Sequence, residues 1–118
     1  MQFDQSDLAA ALDAASDDVL DSLPFGVIGF DPEGLVTRYN ATESESVCYK
    51  RDRVLGRHLF TDVAPCMNNY LVAHRFDEEA AIDDQIEYTF TFRVRPTPVR
   101  LRLLKAPGQT TRYVAVLR

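Results

Sequence analysis

The chain has 118 residues, 46% of them hydrophobic and 26% charged, which suits one compact domain with a single core rather than a multidomain enzyme. A formal net charge of -5 excludes wholesale attraction to nucleic acid or anionic lipid. No apolar run reaches the ~20 residues that cross a bilayer and the first residues are acidic, so neither a membrane span nor a signal peptide is expected, and the expected location is cytoplasmic.

Charge is unevenly spread. Residues 1–37 hold eight acids and no Lys or Arg, whereas residues 93–118 hold seven basic residues and no acid. In Ser6 to Ala15, Leu8 and Leu12 mark a short apolar stripe, with Ser6 as a candidate N-cap, and Asp17 to Leu23 reads as a second short helix. Pro24 and Gly26 end this segment. Phe25 to Phe30 is a short apolar strand, and Asp31-Pro32-Glu33-Gly34 has the residue preferences of a type I turn leading into a second strand, Leu35 to Tyr39.

Asn40 to Leu59 is polar and reads as irregular, with cap-like Asn40 and Ser46 and a short helix at Asp52 to Leu55 ended by Gly56. Asp62 to Pro65 is a loop, and Asn68 to Glu79 is predicted as a helix. Ile86, Tyr88, Phe90, Phe92 and Val94 alternate with polar residues, the signature of a strand with one buried face. Val99, Leu101 and Leu103 continue the pattern after Pro96-Thr97-Pro98, and Arg112 to Leu117 forms another strand after the Pro107-Gly108 turn. Two strands, a helical middle and a three-stranded meander make an α+β fold: a five-stranded antiparallel sheet with helices on one face. A helical N-terminal cap is assigned to residues 1–22 and the core to residues 23–118.

Few residues carry recognisable chemistry. His58 and His74 have no metal-ligand spacing, and neither a metal motif nor a Gly-rich phosphate loop is present, so an enzyme is not expected. Cys66, after Pro65 in a loop that leads toward a helix, is in a setting able to lower a thiol pKa and can act as a nucleophile. Cys48 reads as an unreactive or surface thiol, and its pairing with Cys66 stays open. Tyr39 and Glu43, four apart, fall on one side if they share a helical turn and can converge on one ligand oxygen. Glu43 donates only if protonated, which burial beside a ligand phenolate favours through desolvation and like-charge repulsion.

Asp62-Val63-Ala64-Pro65-Cys66 and Tyr39-Asn40-Ala41-Thr42-Glu43, with Leu20-Asp21-Ser22-Leu23-Pro24-Phe25-Gly26 upstream and Glu87-Tyr88-Thr89-Phe90 downstream, resemble the photoactive yellow protein (xanthopsin) family of PAS domains. The resemblance runs from about residue 20 to residue 118. It implies a PAS-type sheet and a blue-light receptor carrying p-coumaric acid as a thioester on Cys66. It also implies hydrogen bonds from Tyr39 and Glu43 to the phenolate, trans-cis isomerisation, proton transfer from Glu43 and release of the cap. Pro65 precedes the attachment point, and Phe60, Phe90 and Phe92 are the aromatic residues placed around the ligand. The family's supporting threonine falls at Val47 and its shielding arginine at Tyr49, with Lys50, Arg51 and Arg53 as substitutes within reach. The methionine that speeds dark recovery falls at Val94, so slow recovery is expected. The implied partner is a downstream signalling protein, with the chain a monomer or weak dimer.

The charge count further suggests that the acidic cap docks across Arg93, Arg95, Arg100 and Arg102. Two other readings use the same residues: a PAS-like ligand-sensing or protein-interaction module without photochemistry, and a thiol redox switch at Cys66.

Overall fold

The computed structural model describes residues 1–47, 49–91 and 96–118. Five strands form one antiparallel sheet in the order β2-β1-β5-β4-β3: β1 Gly26–Phe30, β2 Val36–Tyr39, β3 Ile82–Phe90, β4 Thr97–Lys105 and β5 Arg112–Leu117. β3, β4 and β5 make the expected meander, and β5 returns to pair with β1 at the centre. Between β1 and β2, Asp31 Oδ1 accepts from the backbone N–H groups of Glu33 and Leu35, and Gly34 takes φ 88°, a conformation that glycine adopts without a Cβ penalty.

Alternate residues of β1 and β5 feed two different cores. Ile28, Phe30, Val114 and Val116 join Leu101 and Leu103 in the larger one, beneath the helices that follow β2. Val27, Tyr113 and Ala115 face the other way, with Leu104, and are covered by Phe3, Leu8, Leu12, Leu20, Leu23 and Phe25. The covering residues come from α1 (Leu8–Ala14), α2 (Asp17–Asp21) and the segments beside them. β1 is therefore buried at all five positions, as its unbroken apolar run requires.

Of the four arginines that the charge count set against the N-terminal segment, Arg102 holds it, Arg100 pairs with Glu87 on the adjacent strand, and Arg93 and Arg95 lie outside the described residues. Arg38 is a second grip, and both arginines reach the segment mainly through backbone carbonyls. Arg102, 4% exposed, donates to Phe3 O and Gln5 O while its remaining N–H groups hold Asp83. Arg38 donates to Leu12 O at 2.7 Å and Ala15 O at 2.6 Å, and among the N-terminal acids its ion-pair partner is Asp17. The tie is thus an apolar interface pinned by two guanidinium groups.

Two helical expectations change. Ala41–Val47 is a helix, α3, where an irregular segment was expected; Ala41 and Val47 are its only apolar residues, so it shows no helical stripe. α4 covers Arg51–Val54, close to the predicted Asp52 to Leu55. The helix expected over Asn68 to Glu79 shrinks to α5, Ala73–Glu78. Asn69 breaks it: its Oδ1 accepts from the N–H groups of Leu71 and Val72, a local turn that competes with helix. The strand predicted from Ile86 begins at Ile82, and because β3 is an edge strand Ile86 and Tyr88 are only half-buried. Phe92 and Val94, the rest of that alternation, lie outside the described residues.

Arg102→Leu should leave Phe3 O and Gln5 O without their partner in a buried site and lower stability by about 2–4 kcal/mol. Urea denaturation measures the loss, and limited proteolysis should show faster cleavage within residues 1–22.

Candidate functional site

Asn40 builds the polar side of the site. It is 1% exposed and satisfied on every side: Oδ1 accepts from Val27 N (2.9 Å) and Glu43 N (3.1 Å), while Nδ2 donates to Leu20 O (2.8 Å) and Phe25 O (3.0 Å). The bond to Glu43 N caps α3, as the sequence suggested for Asn40, and sets Glu43 in its first turn. Asp21 braces the same joint by accepting from Ala41 N and from Arg51. Thr42 Oγ1 donates to Leu23 O at 2.6 Å.

Glu43 is 2% exposed, and both of its oxygens accept from Arg118: Nη1 to Oε1 at 2.7 Å and Nη2 to Oε2 at 3.2 Å. Tyr39, at the end of β2, is buried beside it. Burial pushes the Tyr39 phenol well above its ordinary range, and the Glu43 charge adds to the shift while Arg118 opposes it. Gly26 makes room for the carboxyl group: a Cβ there would lie 2.0 Å from Glu43 Oε1.

Cys66 sits in a short 3-10 turn, Pro65–Met67, with the exposed Pro65 at its first position. Its carbonyl is fixed by the Tyr88 hydroxyl and by Asn69 Nδ2 at 3.2 Å; Asn69 also donates to the Tyr88 oxygen at 2.6 Å. The thiol is free. The setting does not lower its pKa as the loop position suggested: burial pushes it up, only partly opposed by a hydrogen bond to the Thr91 backbone. A three-residue turn offers little helix dipole to offset that desolvation.

Cys66, Leu71, Tyr88, Val99, Leu117 and Arg118 are among the residues lining one open cavity of about 840 Å³. Phe90 lies under the Arg118 guanidinium, 5.8 Å from ring centre to Cζ, and meets Tyr88 edge to face at 6.0 Å. Arg118 thus connects the cavity of Cys66 to Glu43 and, through it, to Tyr39.

Phe60 shares the larger core with Tyr39, Val47 and Phe90, against which Cys66 packs, and its ring meets Phe30 (5.4 Å) and Phe76 (6.3 Å). Val47 is buried in that core, Tyr49 is 46% exposed, and Phe92 and Cys48 lie outside the described residues. Arg51 is turned to Tyr39 O (2.7 Å) and Asp21, and Lys50 and Arg53 are exposed. Among the described residues, the cation that reaches Glu43 is Arg118, which no local motif marks. His58 accepts from Phe60 N and Thr61 N and caps the turn Leu59–Val63, a structural role. Among the described residues no cluster of potential metal ligands occurs, and no helix is long and apolar enough to cross a membrane.

A family profile described as the PAS fold matches residues 20–118. The photoactive yellow protein of Rhodothalassium salexigens is 31% identical over all of this chain and 97% of its own length. That of Halochromatium salexigens is 32% identical with the same coverage. The chain belongs to the photoactive yellow protein family. The crystal structure of the photoactive yellow protein domain of the sensor histidine kinase Ppr from Rhodospirillum centenum agrees: its TM-score is 0.83 at 31% identity, covering 92% of this chain and 98% of that one. A PAS domain of an HTR-like protein from Haloarcula marismortui, at 17% identity and a TM-score of 0.61, shares the fold.

In this family member, Gly26→Ala should drive Glu43 from its seat and lower stability by about 1–3 kcal/mol. Adding Glu43→Ala should recover part of that loss, so urea denaturation of the two single variants and the double variant should give clearly non-additive free energies.

Alkaline pH provides a second check. Burial pushes the Tyr113 phenol from 10.0 up to about 12, and also raises Tyr39, Tyr88 and Cys66. Groups raised on folding contribute fully below their unfolded values, 9.0 for the thiol and 10.0 for the phenols, and lose that contribution as pH rises toward the folded values. The urea midpoint should therefore show no loss from these groups below about pH 9 and fall steadily towards about pH 12, with Tyr113→Phe making the fall shallower.

Proposed function

We propose that this chain is a blue-light receptor carrying a p-coumaroyl group as a thioester on Cys66. The observation that supports this most is one cavity whose wall holds a free thiol and also Arg118, the residue that reaches buried Glu43. Its mixed aromatic, aliphatic and polar lining suits an aromatic acyl ligand. When bound, the p-coumaroyl group supplies light absorption and a double bond that isomerises.

The rest falls to the protein. Cys66 Sγ, once deprotonated, attacks the carbonyl carbon of an activated p-coumaroyl thioester; the donor thiol leaves as thiolate and a new thioester forms. Burial raises the Cys66 thiol pKa, so loading needs base and speeds up as pH rises. Tyr39 and Glu43 serve as hydrogen-bond donors to the phenolic oxygen, and Phe90 packs at the ligand. Glu43 accepts twice from Arg118 in this structure, so its donor role requires it to take up a proton and loosen that grip. Giving the proton to the ligand then leaves, for as long as Arg118 has not closed on it again, an unpaired carboxylate in a site 2% exposed, at a cost of several kcal/mol, comparable to the stability of a small domain.

Residues 1–22 act as a cap on the core, 23–118, and come free in response. The path runs from Glu43 N through the Asn40 amide to Leu20 O. The receptor catalyses no reaction of its own; its output is contact with a downstream signalling protein, in keeping with the sensor histidine kinase that contains the related Ppr domain. With Val94 in place of the family's methionine dark recovery is slow, and Val47 and Tyr49, where the family has threonine and arginine, alter the colour or the photocycle rate.

Mixing the purified protein with an activated p-coumaroyl thioester should give one adduct by intact mass and a blue-absorbing band that bleaches in light and returns slowly in darkness. Cys66→Ser should give neither. An adduct without bleaching would assign the chain to ligand sensing without photochemistry, and no adduct would remove the chromophore reading.

A further inference from the structure

Arg118 follows β5 and turns its guanidinium inward. Its side chain is 26% exposed, lines the cavity that holds Cys66, stacks over Phe90 and binds Glu43 with two hydrogen bonds. Those bonds use two of the five N–H groups of a guanidinium, so its fork has donors left for a second acceptor. Arg100 also lines the cavity, but its side chain is 49% exposed and is given to Glu87 at 2.9 Å. Among the described residues, the partly desolvated positive charge in the cavity wall is therefore that of Arg118.

We infer that Arg118 is a specificity-determining residue, reserving the Cys66 cavity for an aromatic acyl group whose far oxygen ionises and receiving that oxygen on the same guanidinium that holds Glu43. The inference deepens the proposed function and rests on it. A fixed cation beside an aromatic face stabilises an anionic ring oxygen and gives nothing comparable to a methyl-capped one. Among the described residues, the other ionisable groups around this place are Glu43, Tyr39 and Tyr49 on the inner side and Cys66, Tyr88, Glu87 and Arg100 in the wall, none of which is altered when Arg118 alone is changed.

The test is competitive loading of activated p-coumaroyl and 4-methoxycinnamoyl thioesters onto the wild-type protein, Arg118→Lys and Arg118→Gln, with the adduct ratio read by intact mass. The phenol of each p-coumaroyl adduct is then titrated by absorbance in the dark. The wild type should favour the ionisable ligand by roughly tenfold, Arg118→Lys should keep most of that preference, and Arg118→Gln should lose it and titrate about one pH unit higher. Equal loading of the two ligands in the wild type overturns the inference even if Arg118→Gln does not fold, as does an unchanged ratio and titration in a folded Arg118→Gln. Attachment without preference removes the inference alone, whereas no attachment to the wild type removes the proposed function and the inference with it.

Discussion

A single buried amide holds the site to the rest of the molecule. Asn40 joins the end of α2, the start of β1 and the first turn of α3 through four hydrogen bonds, at 1% exposure. A buried amide left half-satisfied costs more than an apolar side chain in the same place, so these bonds stand or fall together. The position of Glu43 depends on them, because the N–H that Asn40 caps belongs to Glu43 itself. So does the seating of α2, whose Leu20 carbonyl accepts from the other end of the same amide. A displacement at Glu43 and a displacement of the N-terminal segment are thus mechanically linked across one side chain.

The two cores give that link its direction. The sheet centre is buried on both faces, so removing the N-terminal segment exposes Val27, Leu104, Tyr113 and Ala115 but leaves the larger core, with its own helices, closed. Local opening on one face can then proceed without global unfolding. Arg38 and Arg102 make the interface selective in how it opens. Each holds backbone carbonyls of the N-terminal segment, so the segment must break bonds to the sheet before it can leave, whatever the ionic strength does to surface charge.

Much of this fold was legible in the sequence wherever burial imposes a simple period. β4 and β5 showed strand-like apolar patterns, β1 was an unbroken run, and Asp31 to Gly34 had the turn residues their backbone needs. The polar side of the site was hidden for the opposite reason. α3 buries a glutamate rather than a leucine, so its pattern reads as solvent-exposed, and Asn69 ends a helical reading by a side-chain bond that no periodicity reveals. Tyr39 and Glu43 could be paired by their spacing on one turn, but Arg118 lies 75 residues from Glu43. Only the return of β5 to the centre of the sheet brings it there. The cap contact was legible only at Arg102, for a related reason: counting charges pairs acids with bases, whereas Arg102 and Arg38 reach the N-terminal segment mainly through carbonyl oxygens, which carry no formal charge.

The ion pair also explains how a carboxyl group can sit so deep beside a phenol. Arg118 supplies the positive charge that offsets desolvation of Glu43, and it counteracts part of the rise that burial and Glu43 impose on Tyr39. Glu43, Tyr39 and Arg118 therefore share one charge balance, and an acceptor entering the cavity meets all three through the guanidinium. Because a buried pair tolerates the loss of one partner poorly, any rearrangement that frees Glu43 must provide Arg118 with another acceptor or carry it toward solvent. Arg118 is already 26% exposed, so the outward path is short. Glu43, at 2% exposure and wedged against Gly26, has no such path, so of the two partners it is the one the fold holds in place.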